Sequence, residues 1–306
     1  MIDLTVVVGS VASERSIRAC LASVLTSCAG LRSEIIVVDA STDETASLVR
    51  RYFPEVQLTC LPPGTLIPVL WSTGLASARG SRVAFTTGHC VVPQVWAIDL
   101  NKALDTGAAG AGGPIALGPG ASLVHRAIYF LRYSAFMPSD GRAVVDVSEI
   151  AGDNAMYERS VFDEHRSSLA DGLWEVEIHH ALRAQGRRLV MAQSAGADLA
   201  GTFPLALITR YRFAHGRHYG AWRVRQKLVS ASRIVVAAPA VPVLLLARTA
   251  RRVIRSGSKL IGFFSATPIM FWLASSWAFG EAVGALRPSA GARQAPDLEA
   301  ARAHRN

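Results

Sequence analysis

The sequence predicts an α/β fold in which a mostly parallel sheet is flanked by helices, and three observations support this. Short β-branched and apolar runs alternate with segments of helical periodicity over roughly the first 90 residues. The strand runs are apolar almost throughout, as expected for strands buried on both faces. Polar or small residues follow three of them, at Gly9-Ser10, Asp39 and Thr87-Gly88-His89, and ligands bind beyond the carboxyl ends of such strands.

The individual elements follow from local pattern. Apolar Ile17, Leu21 and Val24 recur at helical spacing, and Ser41 to Asp43 supplies capping chemistry before the second helix. A later helix begins with two glutamates and ends near Gly186, an order that suits the helix dipole. We expect strands at Leu4–Val8, Glu34–Asp39, Val56–Leu61, Arg82–Thr86 and near Ala109–Ile115, and helices at Ser16–Ser27, Glu44–Tyr52, Ile67–Ala78 and Trp174–Gln185.

The charge balance of the 306-residue chain indicates an anionic partner. Its formal net charge is +9, its pI is about 9.9 and its mean hydropathy is +0.27. Basic residues are concentrated beside apolar segments in the last third of the chain, including the aromatic and basic stretch Arg210–Arg225. This arrangement favours membrane lipids over nucleic acid as the partner.

Two apolar segments near the C-terminus predict membrane association. Ile234–Ala247 is 14 residues long, about 21 Å as a helix, and two prolines interrupt it. Leu260–Leu286 is long enough to cross a hydrocarbon core of about 30 Å. The basic linker 248–259 should stay in the cytosol, so we expect an interfacial or re-entrant first segment and a second segment that spans or folds back. The alternative is a buried helical domain of a soluble enzyme.

The remaining composition is less specific. The four cysteines, Cys20, Cys28, Cys60 and Cys90, form no C-x-x-C pair and read as free thiols in a reducing compartment. The N-terminus reads as a first strand and not as a signal peptide. The polar stretch 287–306 is expected to be disordered.

Five ordered blocks resemble the family 2 glycosyltransferases, whose catalytic domain has the GT-A fold. They are VVVGSVASERSIRACLASVL, IIVVDASTDET, GLASARG, GDNAMYER and WEVEIHHALRAQG, at residues 6–25, 35–45, 74–80, 152–159 and 174–186. The resemblance implies a GT-A domain over 1–225, followed by membrane-associated helices over 226–286. It also implies inverting transfer of a sugar from a nucleotide-diphosphate donor to a lipid-linked or polysaccharide acceptor. The catalytic domain would face the cytosol at the cytoplasmic (inner) membrane.

The resemblance also assigns site residues. Asp39 would bind the nucleotide base, and Glu175 would be the catalytic base that deprotonates an acceptor hydroxyl. Each has a simpler interpretation: Asp39 as a helix cap or a solvated loop acid, and Glu175 as an ordinary acid of a helix start. Further donor contacts would be Gly9, Arg79, Thr87, Gly88 and His89, and the acceptor or diphosphate side would hold Asp153, Asn154, Glu177, Arg210, His215 and Arg217.

The chain departs from the family where an acid pair usually binds a metal ion. The strand end reads TTGHC, so Thr87 and Gly88 stand where related sequences have acids, and Trp71 replaces an arginine. Mg²⁺ or Mn²⁺ is therefore not supported by the usual motif. Three explanations are open. Cations (His89, Arg210, Arg212, His215, Arg217) neutralise the leaving group; His89 and Asp153 bind a metal; or the chain is a catalytically weak membrane protein that binds nucleotide-sugar or scaffolds polysaccharide assembly.

Overall fold

The computed structural model describes residues 2–139, 143–201, 203–255 and 260–288, and for 167 and 168 the backbone alone. Contacts divide the chain into two units, one of residues 1–119 with 136–201, the other of 120–135 with 202–306. The stretch 202–225 thus groups with the C-terminal helices, whereas the resemblance places it with the catalytic domain. The domain boundary after 225 stays a prediction.

Among the described residues, the first unit holds the strands, six α-helices and two 3-10 turns. The strands are β1 (Leu4–Ser10), β2 (Ser33–Asp39), β3 (Gln57–Cys60), β4 (Arg82–Thr87), β5 (Cys90–Val91), β6 (Gly110–Gly112), β7 (Ile115–Leu117), β8 (Val144–Val147), β9 (Asn154–Glu158), β10 (Leu189–Ala192) and β11 (Ala197–Leu199). The α-helices, numbered along the whole chain, are α1 (Ile17–Ser27), α2 (Thr45–Tyr52), α3 (Ile67–Ser77), α4 (Trp96–Leu104), α6 (Ser160–Glu164) and α7 (Glu175–Ala184), with short 3-10 turns at Arg166–Leu169 and Gln193–Ala195.

The main sheet has the order β3-β2-β1-β4-β9-β6-β10-β8, and a smaller sheet has the order β5-β11-β7. Strands β1 to β4 are parallel to one another, and β9 is antiparallel to both β4 and β6. This is the expected doubly wound α/β architecture with a mostly parallel sheet. The predicted strand near 109–115 is in fact two short strands, β6 and β7, because Gly113 and Pro114 separate them.

Burial explains why the first half of the sheet forms. All seven residues of β1 are buried, which requires helices on both faces. On one of these helices, α3, Gly74 lets the backbone approach the sheet closely: a Cβ there would lie 2.3 Å from Val7 Cγ1. The core continues through Trp71, Phe85 and Tyr157, whose rings meet edge to face or tilted.

The second unit is helical in its described part. It consists of α5 (Leu123–Tyr133), α8 (Leu205–Arg225), α9 (Ala231–Ala237), α10 (Val241–Arg255) and α11 (Leu260–Leu286). Helices α8 and α11 run parallel and meet at glycines. A Cβ on Gly216 or Gly220 would lie 2.1 Å from a backbone oxygen of α11, and one on Gly280 would lie 2.1 Å from the Phe213 oxygen.

The two apolar segments have different structures. The first is broken near Pro239 into α9 and α10, which meet at 74°. They are long and apolar enough to cross a membrane only when taken together as one bent pair. The second is α11, which has the predicted bounds and is long and apolar enough to cross a membrane. Residues 256–259 of the basic linker and 289–306 of the predicted disordered tail lie outside the described residues.

Candidate functional site

The carboxyl ends of β1, β2 and β4 form one edge, as the sequence predicts. Gly9 is in register with Val38 and Thr87, and Ser10 with Asp39. The Gly88 N–H donates a hydrogen bond to the Gly9 carbonyl at 3.0 Å. The structure thereby brings Gly9, Asp39, Thr87 and Gly88 together where ligands bind on parallel sheets.

Asp39 holds the loops at this edge. It is 2% exposed, and its carboxylate accepts hydrogen bonds from Ser41 Oγ at 2.6 Å and from the Ser41 N–H at 3.3 Å. Ser41 Oγ in turn accepts from the N–H of Ala12, whose φ of 50° lies in the left-handed region. Asp39 is therefore a buried acid that stabilises the loop after β2, and its contact with a nucleotide base stays a prediction.

His89 is enclosed by the turn that follows β1. It is 3% exposed; Nε2 lies 2.8 Å from the Val11 carbonyl, and Nδ1 lies 3.3 Å from Ser16 Oγ. A carbonyl only accepts, so Nε2 carries the proton and donates, which leaves Nδ1 to accept from Ser16. Gly201 closes the other side, since a Cβ there would lie 2.7 Å from Nδ1. Both ring nitrogens thus serve the fold.

The same turn occupies the space beside Gly88 where an acidic side chain would have to be. A Cβ on Gly88 would lie 2.6 Å from Ser13 Oγ and 2.8 Å from Ser13 Cβ, with Ser10 Oγ at 3.2 Å. Real Cβ contacts are not this short, so any side chain at this position would have to displace Ser13. The loss of the acid is therefore accompanied by closure of the turn over its place.

The donor set at this edge does not fit a resident divalent ion. Such an ion prefers several charged oxygen ligands, and the described residues contain no group of three His, Cys, Asp or Glu side chains suited to a metal. Asp153 lies beside Cys90, and burial followed by the charge of Asp153 raises the pKa of that thiol to about 11. The hypothesis that His89 and Asp153 bind a metal is thus not supported, because the His89 nitrogens are engaged and no third ligand joins them among the described residues.

Trp71 links the strand edge to the predicted catalytic base. Its indole N–H donates to the Thr86 carbonyl at 2.8 Å, and the ring packs between two glycines. A Cβ on Gly9 would lie 3.1 Å from Trp71 Nε1, and a Cβ on Gly152 would lie 2.9 Å from the ring and 3.3 Å from Glu175 Cδ. The Glu175 carboxyl is therefore next to Gly152 and one indole ring away from the end of β1.

Sequence reasoning treated Trp71 only as a replacement for an arginine and missed this role. The residue is fully buried, and it lies on the apolar helix α3. A tryptophan between two apolar residues and two polar ones reads as an ordinary core residue. No local sequence pattern reveals that Gly9 and Gly152 pack against the same Trp71 ring.

Two buried rings, those of Tyr157 and His179, lie near Glu175. Burial, and secondly the charge of Glu175, raise the pKa of Tyr157 well above its ordinary range. Tyr157 Oη lies 2.8 Å from His179 Nε2, and burial, helped by Arg183, lowers the pKa of His179 to about 3. Both rings are therefore neutral at pH 7. Glu175 and Glu177 occupy the first turn of α7, where the helix dipole favours carboxylates.

In the segment that contains Asp153 and Asn154, the Asn154 side chain stabilises the fold through hydrogen bonds. Asn154 is fully buried; its Nδ2 donates to the carbonyls of Pro114 and Ala195 at 3.2 and 2.9 Å, and its Oδ1 accepts from Trp96 Nε1 at 2.7 Å. These bonds satisfy the amide inside the fold. An acceptor contact by Asn154 would require this network to open, so it stays a prediction, as does one by Asp153.

The structure does not bring Arg79 to the site, and this corrects the expectation of a nucleotide contact. Arg79 pairs with Glu34, with Nε and Nη2 at 2.8 and 2.6 Å from Oε2. Glu34 is the second residue of β2 and Asp39 is the last, so the two are about 16 Å apart at the strand rise of roughly 3.3 Å per residue. Arg79 therefore lies at the opposite end of the sheet.

Three predicted cations of the diphosphate side lie on α8, in the second unit. Arg210 is exposed, and the backbone of Arg217 packs against Gly280 and Gly284. Burial, together with the charges of Arg132 and Arg212 and the neighbouring His218, lowers the pKa of His215 well below its ordinary range. His215 is therefore neutral at pH 7, which corrects its assignment as a cation. Whether α8 faces a donor stays a prediction.

The family model of glycosyl transferase family 2 matches residues 5–166, more than half of the chain. The chain belongs to this family. Membership gives glycosyl transfer as the reaction class, and the GT-A type of sheet described above agrees with it. No curated protein matches the sequence at a significant level.

Among solved structures, the chain is similar to TarS of S. aureus. The similarity to TarS 1–349 in complex with UDP-GlcNAc has a TM-score of 0.47 at 13% identity and covers 69% of this chain and 66% of that one. With the longer TarS structure the TM-score is 0.45 at 14% identity, and the chain spans 39% of that protein.

Proposed function

We propose that this protein transfers a sugar from a nucleotide-diphosphate donor to a hydroxyl of a lipid-linked or polysaccharide acceptor at a membrane, with inversion at the anomeric carbon. The observation that carries the proposal is the position of Glu175. Its carboxyl lies beside Gly152 and Trp71, within one ring of the strand end at Gly9. The indole ring of Trp71 fills the space beside both glycines and so connects the Glu175 carboxyl to this strand end.

In the proposed reaction, the acceptor oxygen attacks the anomeric carbon while Glu175 accepts its proton. The bond from that carbon to the diphosphate breaks, and the nucleoside diphosphate leaves with the electron pair. Attack from the side opposite the leaving group inverts the centre. A positioned general base of this kind contributes about 10²- to 10⁴-fold to the rate.

The leaving diphosphate needs positive charge or hydrogen-bond donors. The described side chains at the edge do not fit a resident divalent ion, so we assign this work to arginines and not to an acid-bound metal. Arg212 remains a cation, although burial, with the charge of Arg132, lowers its pKa to about 10. Arg210 and Arg217 are the other candidates, whereas the neutral His215 supplies a hydrogen bond at most.

Membrane association of the protein is the second part of the proposal. The apolar helix α11 and the arginine-rich helices of the second unit support it. The predicted location is the cytoplasmic membrane, with the first unit in the cytosol. Retention of the protein in carbonate-washed membranes tests this part, and release into the supernatant would favour a soluble enzyme with a buried helical domain.

A panel of UDP-, GDP- and dTDP-sugars, incubated with the full chain and membrane extract as the acceptor source, tests the activity. We expect release of nucleoside diphosphate from one donor class, abolished by Glu175→Gln. The matched control is Glu177→Gln, two residues along the same helix, which should keep most of the activity. Circular dichroism of each variant verifies that the fold is intact.

The alternative is a protein that binds nucleotide-sugar without turnover, or that scaffolds polysaccharide assembly. The closure of Ser13 over Gly88 favours it, because the family's usual metal site is lost there. Donor binding in calorimetry, with no product in the presence or absence of Mg²⁺ or Mn²⁺, would establish this alternative over transfer.

A further inference from the structure

Helix α11 has one exposed apolar side along its whole length. We call this side the α11 stripe, and its large members are Ile261, Phe264, Phe271, Trp272, Phe279 and Leu286. Ile261 is 88% exposed and Leu286 is 64% exposed, so the stripe extends over 25 residue steps, about 37 Å of helix. Exposed aromatic and aliphatic side chains in such a continuous row mark an interaction surface.

The opposite side of α11 is tied to an arginine-rich helix. Ser276 Oγ donates to the Thr209 carbonyl at 2.9 Å, and Trp272, at the edge of the stripe, donates from Nε1 to Thr209 Oγ1 at 3.0 Å. Farther along, Arg225 Nη1 donates to the Pro288 carbonyl at 3.0 Å. Between these contacts Arg223 pairs with the buried Glu281, and the glycines hold the two backbones together. Helix α8 therefore accompanies α11 from residue 272 to its end, with arginines at 210, 212, 217, 223 and 225.

This packing leaves too little of α11 for an upright crossing. Residues 260–271 precede the contact with α8 and make about 18 Å of helix, whereas a hydrocarbon core is about 30 Å thick. Even this part has an arginine beside it, since Arg126 Nη1 would lie 3.0 Å from a Cβ on Gly262. An upright α11 would thus take the arginines of α8 to membrane depth, which is costly.

We propose that α11 lies in the plane of one leaflet of an anionic phospholipid membrane, with the α11 stripe in the acyl region and the arginines in the headgroup layer. Charge complementarity selects this occupant. Exposed basic residues flank the apolar surface of the second unit, and Glu281 is its one acid between 203 and 288. These basic residues are Arg225, Lys227, Arg233, Arg248, Arg251, Arg255 and Arg287. The proposal rests on the membrane association proposed above and specifies its geometry.

The exposed part of α9 and α10 agrees with this geometry. Val236, Val243 and Leu244 are exposed near the 74° bend, and Arg248, Arg251 and Arg255 follow them on α10. Apolar residues at a bend and arginines on the next turns are typical of a segment that enters one leaflet and leaves on the same side.

Spin labels on the full chain bound to vesicles test the proposal directly. Cys60→Ser removes the exposed thiol and leaves the buried ones, and a labelled cysteine then replaces Ile261, Phe271 or Phe279, one position per variant. Depth is measured by collisional relaxation with oxygen and a nickel chelate. We expect the three labels at similar depths, within about 10 Å of the phosphates of one leaflet. A matched label at Ile98, an exposed apolar residue of the first unit, should report water.

Binding to vesicles gives the second readout. Phe279→Glu should weaken binding to vesicles with 30% phosphatidylglycerol at least about tenfold, because a charge in the acyl region is costly. Ile98→Glu should leave binding unchanged. Vesicles of phosphatidylcholine alone should bind more weakly, and added salt should reduce the difference.

The possible outcomes distinguish the in-plane orientation of α11 from membrane association of the protein. A label at Phe271 near the bilayer centre, with Ile261 and Phe279 near opposite surfaces, would show a crossing helix and overturn the proposal while keeping membrane association. No binding to either vesicle type would overturn both. A lipid-free dimer in sedimentation that Phe279→Glu dissociates would show that a second copy covers the α11 stripe, and would overturn the lipid assignment.

Discussion

The end of β4 and the start of α7 both lie at the proposed site, but they differ in what surrounds the expected acid. At Gly88 the acid is absent, and Ser13 fills its place so closely that a Cβ would lie 2.6 Å from the serine oxygen. At Glu175 the acid is present, and its neighbours are a glycine and an indole ring. At the end of β4 Ser13 fills the space for an acid, whereas at the start of α7 a carboxylate is present beside Gly152 and Trp71. A closed metal position at the end of β4 is therefore compatible with the proposed catalytic base at Glu175 in the same site.

The largest expected effect comes from restoring an acid at the end of β4. Gly88→Asp should lower the free energy of unfolding by about 3 kcal/mol or more, because it overpacks Ser13 and buries a charge. Urea unfolding measures this, with Gly196→Ala as the control, since a Cβ there meets nothing closer than 3.5 Å. Mg²⁺ or Mn²⁺ should not recover the loss. A metal-dependent gain in stability would show that the turn opens and that the site is not closed.

The buried His179 on α7 should make the free energy of unfolding depend on pH. The unfolded chain protonates His179 near its ordinary pKa of 6.5, whereas the folded protein does so only near 3. The unfolded state therefore binds more protons between these values, and stability falls as the pH drops below about 6.5. We expect a loss of about 2 kcal/mol at pH 5 from this residue, at roughly 1.4 kcal/mol per pH unit.

Urea titrations at pH 5 and 7.5 measure that loss. His179→Gln should reduce the difference between the two pH values, and His215→Gln should reduce it further, because burial also lowers the pKa of His215. A His179→Gln profile with the slope of the unmodified protein would contradict the assignment of a neutral Tyr157–His179 pair below Glu175.

The smallest effect is expected at the far end of the sheet. Arg79→Gln should cost about 1–2 kcal/mol, because Glu34 loses its partner; the 65% exposure of the Arg79 side chain keeps the value low. The donor KM should stay unchanged, since Arg79 lies at the end of the sheet away from Asp39. A several-fold rise in the donor KM at unchanged stability would place Arg79 at the site after all.

Much of the fold was predictable because local pattern and burial agree. The alternation of apolar runs with periodic segments located β1 to β4 and their helices to within a few residues, and composition alone gave the bounds of α11. The break at Pro239 was visible as a proline but not as a 74° bend. The pairing of α8 with α11 was not predicted, because contacts between glycines far apart in sequence leave no local pattern.

The site was predictable only in part, for a similar reason. Strand ends indicated that Gly9, Asp39 and Gly88 meet, since parallel strands end at one edge. Family blocks indicated Glu175. The sequence could not reveal that Ser13 fills the space at Gly88, that Trp71 bridges Gly9 and Gly152, or that Arg79 pairs with Glu34. Each depends on side chains from separate elements whose distances only the packed structure defines.

The central claim is that Glu175 performs base chemistry beside a closed metal position. The most direct measurement compares donor affinity and turnover of Glu175→Gln with those of the unmodified protein, without added metal. We predict an unchanged donor Kd and a turnover lower by about 10²- to 10⁴-fold. Turnover by Glu175→Gln within a few-fold of the unmodified protein, or activity in the unmodified protein only with added Mg²⁺ or Mn²⁺, would contradict the claim.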